Sequence, residues 1–297
     1  MLQNLEACVQ AGAFTNQDQI LNDRDRDDGY GDEKDDARKV ARVESTRTLQ
    51  NPSEVERTKT HAAQLHCARL RQGKPETPDE GEGSMLVGTL DAVRRYPFKS
   101  LRGESLECTA VGVTGIPGDR ASALFVQSGH ARVGKTYRAK EHDRLHLLGD
   151  EAAAVAAAAQ RGVHAEVRRG DHFFDDAAIS ILVDRWLQSL NEQVGYAVEW
   201  ERFRPNFFVR AGEGFAKSEN ELVDVRLRLG TVLLRVRTPI ERCVAVTYHP
   251  DGDSSDPEIL AYLAQRRNAC MGIYCDVISP GTACVGDDLI QEAPLSS

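Results

Sequence analysis

Leu222-Val223-Asp224-Val225-Arg226-Leu227-Arg228-Leu229-Gly230-Thr231-Val232-Leu233-Leu234-Arg235-Val236-Arg237 is the stretch from which the fold is read. Apolar and charged residues alternate on both sides of Gly230-Thr231, so each arm has one face to bury and one to wet, and the glycine turn joins them as a hairpin. Further strands are expected at Cys243–Tyr248, at Ile273–Ile278 and, after Pro280-Gly281, across Thr282–Ile290. A short helix is expected over Pro257–Arg267, with its proline in the first turn. Consecutive short strands with tight turns leave open edges unless the sheet closes, which predicts a small barrel.

Upstream of the hairpin, Leu86–Val93 reads as a strand, and Val111–Gly129 reads as short apolar runs broken by Gly115, Pro117-Gly118 and Ser128-Gly129. The alanine-rich Asp150–Gln160 predicts a helix with an acidic start, followed by a strand at Val163–Val167. Ile179, Leu182, Val183, Trp186, Leu187, Leu190 and Val194 fall at helical spacing, so Ala178–Val194 is expected to be an amphipathic helix. The fold class is therefore mainly β with some helices (α+β), a small barrel preceded by a β-rich module.

The chain has 297 residues, 41% hydrophobic and 28% charged, enough for about two domains. It holds no apolar stretch approaching the roughly 18 to 20 residues of a membrane helix. A net charge of −9 argues against general attraction to nucleic acid, though a local basic cluster can still hold a small anion. Residues 1–84 carry 17 acidic and 12 basic side chains, including the run Asp23–Asp28, and show almost no hydrophobic periodicity. They are expected to be disordered, either a regulatory tail or an upstream extension with Met85 as the biological start. The N-terminus has no secretory pattern, and the seven cysteines, odd in number and without close pair spacing, read as thiols of a reducing cytoplasm.

Phosphate-loop, dinucleotide, serine-elbow and His-Glu-x-x-His signatures are all missing. What remains is a set of cationic loops. Tyr96-Pro97-Phe98-Lys99-Ser100 offers a lysine and a hydroxyl at a proline turn, and Gly115-Ile116-Pro117-Gly118-Asp119-Arg120 ends on an arginine. In Arg202-Phe203-Arg204-Pro205-Asn206, the proline biases Arg204 toward an extended backbone that presents a guanidinium fork. Pro239-Ile240-Glu241-Arg242-Cys243 places a cysteine beside an arginine, which favours the thiolate that ligates soft metals or attacks electrophiles. Cys108, Cys270, Cys275 and Cys284 match no zinc or iron–sulfur spacing and read as structural. The eight histidines show no paired metal-ligand pattern.

Taken in order, these segments and the closing Gly281-x-x-x-Val285-Gly286-Asp287 resemble the MOSC family. This is the domain at the C-terminus of molybdenum cofactor sulfurases and in amidoxime-reducing proteins, here with its N-terminal β-barrel partner. The resemblance covers Leu86 to about Ile290 and implies a MOSC N-terminal module over 85–175 and a MOSC domain over 176–292. It implies a molybdenum–pterin site in which Cys243 is the protein's sulfur ligand and catalytic residue. Lys99, Ser100, Arg120 and Arg204 would bind the pterin and its phosphate, with Asn206 and Arg242 supporting the pocket. Glu241 departs from the small polar residue that amidoxime-reducing members carry before Arg-Cys. Neither a pyridoxal phosphate domain nor an iron–sulfur domain is expected. The implied activity is cytoplasmic reduction of small N-hydroxylated or N-oxygenated compounds with electrons from a separate flavin or iron–sulfur protein, without nucleic acid or membrane partners. The alternative is a module that carries the cofactor, or a persulfide on Cys243, to another enzyme.

Overall fold

In the computed structural model, residues 83–170 and 172–293 are described, so the expected tail lies almost wholly outside the described residues. The hairpin forms as read: β9 (Arg226–Leu229) and β10 (Val232–Glu241) pair antiparallel, with Val232 opposite Leu229. Leu227, Leu229, Val232, Leu234 and Val236 are fully buried and the intervening arginines point away, as the alternation requires. Gly230 makes the turn possible. Its φ is +55°, and a Cβ there would lie 2.4 Å from an Asp287 carboxylate oxygen.

The sheet closes around that hairpin. With β1 (Met85–Arg95), β7 (Ile179–Val183), β8 (Phe207–Ala211), β11 (Cys270–Ser279) and β13 (Asp288–Gln291), the strand order is β13-β9-β10-β11-β7-β8-β1, and β1 pairs back onto β13. Every pairing is antiparallel except β7–β8. The short β2 (Glu104–Leu106) extends β1, and β12 (Gly281–Cys284) pairs with β3 (Cys108–Val111) beside the barrel. One hydrophobic cluster fills the barrel.

A second, smaller cluster belongs to the N-terminal module. There β4 (Ser122–Ser128), β5 (Thr136–Tyr137) and β6 (His164–Arg169) form a three-stranded sheet in the order β5-β4-β6. Helix α1 (Glu151–Gln160) follows the expected alanine run, and the Asp150 side chain caps it by accepting from the Ala153 N–H at 2.8 Å. The module's sheet carries this helix beside it, and β1 is a strand of the closed barrel.

Other differences have physical causes. Ala178–Val194 is not one helix: β7 comes first, then a 3₁₀ turn at Asp184–Leu187 and the helix α2 (Gln188–Val194). β7 lies between β11 and β8 and is buried on both faces, and such a strand is a continuous apolar run that satisfies helical spacing by default. Cys243–Tyr248 is not a strand, because the last β10–β11 pair is Glu241 with Cys270. Val244–Thr247 turns into 3₁₀ instead, with the Val246 N–H donating to the Cys243 carbonyl at 3.2 Å. The helix α3 (Pro257–Arg266) opens on its proline as expected. Finally, the cysteines are not all thiols: Cys108 and Cys284 stand opposite each other across β3–β12 and form a disulfide. Their separation of 176 residues left no spacing signal.

The module core holds His142, 5% exposed, its ring edge-on to Tyr137 at 6.1 Å. Burial, aided by Arg161 and opposed by Asp143, pushes its imidazole below the ordinary value of 6.5. The fold keeps this ring neutral while the unfolded chain protonates more readily, so its stabilisation is full above the ordinary value and drains as pH falls toward the folded one. The thermal midpoint is expected to drop between about pH 7 and 5, with a shallower slope in His142→Gln. Equal slopes in the two proteins would contradict this account.

Candidate functional site

Tyr96 follows the last residue of β1 and is buried, and its hydroxyl donates to the Pro205 carbonyl at 3.2 Å. Its ring lies close to two guanidinium groups, Arg120 at 4.8 Å and Arg204 at 4.2 Å from the centroid. Such contacts are worth about 2 kcal/mol or more when desolvated. Burial raises the phenol above its ordinary range against the pull of the neighbouring arginines, so it stays a neutral spacer between two cations.

One buried carboxylate organises this cluster. Asp119 accepts the Tyr96 N–H at 2.7 Å, the Asn206 side-chain amide at 3.1 Å and a hydrogen bond from Arg120. Burial alone would depress the Arg120 guanidinium, but Asp119 and Tyr96 carry it above its ordinary value. Arg120 is therefore a neutralised cation, and it also donates to the Arg204 carbonyl at 3.2 Å.

Asn206 is 1% exposed and its amide is spent within the protein. It accepts from the Ser180 N–H at 3.1 Å and the Ser180 hydroxyl at 2.9 Å, and it donates to the Arg94 carbonyl at 3.3 Å as well as to Asp119. It ties β7 to Asp119 and to the end of β1.

Arg204 differs from Arg120. It has no carboxylate partner among the described residues, and burial lowers its guanidinium to about 10. Its backbone is left-handed at φ 50°, not extended, because it ends the 3₁₀ turn Trp200–Phe203 with its N–H bonded to Glu201. The 3₁₀ closure thus overrides the proline bias. Ser100 at φ 70° and Arg120 at φ 48° are left-handed too, a conformation that costs side-chain-bearing residues of order 1–3 kcal/mol each and gathers at functional sites.

Lys99 donates to Asp175 at 2.6 Å, and the Ser100 hydroxyl oxygen accepts from the Ala139 N–H at 3.4 Å. Arg242 donates to the Met271 carbonyl at 2.7 Å and the Phe203 carbonyl at 2.8 Å, leaving Nη2 buried with no hydrogen-bond partner. Gly272, at φ +84°, leaves room for it, since a Cβ there would lie 3.1 Å from that nitrogen. Burial lowers the Arg242 guanidinium, against the pull of Tyr274, Cys243 and Cys270. Cys243 follows as a free, half-buried thiol capping the 3₁₀ turn.

Tyr274 was missed by the sequence reading. Ile273 and Cys275 face the barrel core, so alternation turns Tyr274 outward, where it feels Arg242, Arg120 and Asp175, and burial raises its phenol to about 12. No motif contains it. Tyr96 and Asp119 do stand in quoted motifs, but a search for cations passes over them.

Residues 168–290 match the family model for the MOSC domain. This chain carries a MOSC domain. MOSC domains bind the molybdenum cofactor or act in sulfur transfer. Among solved structures, the YuaD protein from Bacillus subtilis is similar at 17% identity over 71% of this chain and 98% of its own, with a TM-score of 0.44. YiiM from Geobacillus stearothermophilus gives 19% identity over 38% of this chain and 53% of its own, TM-score 0.31. YiiM from Escherichia coli gives 16% over 68% and 72%, TM-score 0.34. No curated protein matches the chain.

Within the MOSC domain and its N-terminal extension, Arg120, Arg204 and Asn206 are brought together directly, while Arg242 reaches them through the Phe203 carbonyl and Tyr274, and Cys243 follows Arg242 in the chain. Lys99 joins through Asp175, whose charge also reaches Arg120 and Tyr274. Ser100 adjoins Lys99, and its hydroxyl meets Ala139. A division of labour follows. Asn206→Ala strips Ser180, Asp119 and the Arg94 carbonyl of a partner and is expected to cost about 2–4 kcal/mol in urea denaturation. Arg204→Gly removes an unpaired cation from a left-handed position and should stay within about 1 kcal/mol of the parent. Equal losses would contradict the division.

Proposed function

We propose that the cationic cluster around Tyr96 binds the molybdenum cofactor and that the protein reduces small N-hydroxylated or N-oxygenated compounds. The observation that carries the reading is the pair of uncompensated guanidinium groups. Arg204 lacks a carboxylate partner among the described residues, and Arg242, which precedes the free thiol of Cys243 and interacts with it, has a buried, unpartnered Nη2. An anion with several acceptor oxygens satisfies such donors, and a soft thiolate suits a metal–sulfur centre, so the residues fit the group.

Arg204, Arg242, Lys99 and Ser100 would hold the pterin and its phosphate, with Arg120 and Asn206 fixing their positions and Cys243 ligating the metal. The cofactor, when bound, supplies two-electron removal of oxygen from an N–O bond. The chain's own part is electrostatic: Tyr96 and Tyr274 keep their protons, and the arginines attract the anionic group and exclude competing cations. Electrons would come from a separate flavin or iron–sulfur protein, and the proposal places the reaction in the cytoplasm. No helix among the described residues is long and apolar enough to cross a membrane.

Protein from a molybdenum-replete host is expected to contain molybdenum and pterin together. Arg204→Ala should lose most of both, and Cys243→Ala should abolish reduction of a model N-hydroxylated substrate. Full molybdenum content and full activity in Cys243→Ala would overturn the assignment. The half-burial of the Cys243 thiol favours a second reading, in which it carries a persulfide whose outer sulfur passes to an acceptor thiolate. Persulfide on Cys243 without bound pterin would select it.

A further inference from the structure

The turn that carries Cys243 runs into a loop from Tyr248 to Ser255, closed on itself by the Tyr248–Ser255 bridge and by the His249 N–H donating to the Ser254 carbonyl at 3.0 Å. Residues of the N-terminal module grip this loop. The His146 ring stacks on Tyr248 at 5.8 Å with 15° between planes, and its Nε2 lies 2.8 Å from the His249 carbonyl. A carbonyl only accepts, so Nε2 carries the proton and His146 is the donor. Arg144 pairs with Asp253 at 2.9 Å and Arg102 with Asp251 at 3.5 Å. From the barrel side, Glu199 reaches His249 at 3.5 Å, and Arg202 donates to the Thr247 carbonyl at 2.8 Å and to Asp256 at 2.6 Å.

These contacts bear on the sulfur because Tyr248 ends the turn that Cys243 begins, and the Tyr248 phenol is within electrostatic reach of Cys243. The turn has weak internal support. Its backbone bonds are Val246 to Cys243 at 3.2 Å and Tyr248 to Ala245 at 3.4 Å, with the Thr247 hydroxyl donating to Val244 at 2.8 Å. A short 3₁₀ turn held this loosely opens locally unless its flank is pinned.

We propose that His146 is a positioning residue for Cys243: the N-terminal module latches the Tyr248–Ser255 loop through it, and the latch sets how the sulfur is presented and how readily it is reached. This rests on Cys243 being the reactive sulfur of the site, but not on molybdenum being bound. It gives the module a function beyond carrying cationic loops, which is to regulate the sulfur.

The test is the alkylation rate of Cys243 in the cofactor-free full chain, followed by peptide mass spectrometry with iodoacetamide. Cys270, half-buried outside the latch, serves as the internal reference, and buried Cys275 reports unfolding. His146→Phe keeps a ring against Tyr248 but removes the donor, and is expected to speed labelling of Cys243 about fivefold with Cys270 unchanged. His146→Gln restores an N–H toward the His249 carbonyl and should return the rate close to the parent's. Arg144→Ala, which breaks an exposed pair without touching either core, should give about a twofold rise. Parental rates in both His146→Phe and Arg144→Ala would overturn the latch, as would Cys243 and Cys270 accelerating together or no rescue by glutamine. If Cys275 became reactive in His146→Phe, the Arg144→Ala and His146→Gln rates would decide. Loss of the molybdenum reading would leave this result standing, and loss of the latch would leave cofactor content unaffected.

Discussion

The buried carboxylate of Asp119 is the constraint on which the site depends. It accepts hydrogen bonds from the Tyr96 backbone, Arg120 and Asn206, so it ties together the end of β1, the Gly115–Arg120 loop and the entry to β8. A buried ion is tolerable only when paired and fully hydrogen-bonded, and Asp119 meets that condition by recruiting one arginine. Arg120 is thereby committed. Asn206, locked onto Ser180 of β7, carries the same network into the barrel wall.

With Arg120 neutralised by Asp119, the charge that remains uncompensated is on Arg204 and Arg242. Arg204 is packed on the face of Tyr96, and Arg242 lies along β11 where Gly272 leaves space. Burial lowers both guanidinium groups, and Arg204, at about 10, is still charged at neutral pH. The chain as a whole is acidic at −9, so its capacity to hold an anion is local and built by burial rather than by net charge. The buried, unpartnered guanidinium of Arg242 and the lack of a carboxylate partner for Arg204 are costs that a purely structural barrel has no reason to carry.

Much of the barrel was legible because its signals are local. Alternation around Gly230, the acidic cap of α1 and the leading proline of α3 each act within a few residues, and the structure follows them. The sequence misleads where tertiary context decides. β7 imitates a helix because a strand buried on both faces has no polar alternation, and the Cys243 turn imitates a strand because its run of small apolar residues does not reveal that β11 has ended. Arg204 departs from the proline bias because a 3₁₀ closure reaches it first. The Cys108–Cys284 disulfide, Tyr274 and the His146 latch join residues far apart in the chain, and no single-sequence pattern encodes such meetings. The cationic candidates, by contrast, were found from their loops, and most converge.

In the proposed function Cys243, next to Arg242, ligates the metal of an anionic cofactor. X-ray absorption at the molybdenum edge would then show one more sulfur neighbour in the parent protein than the pterin dithiolene alone supplies, and loss of that neighbour in Cys243→Ser. An unchanged sulfur shell in the variant would contradict it.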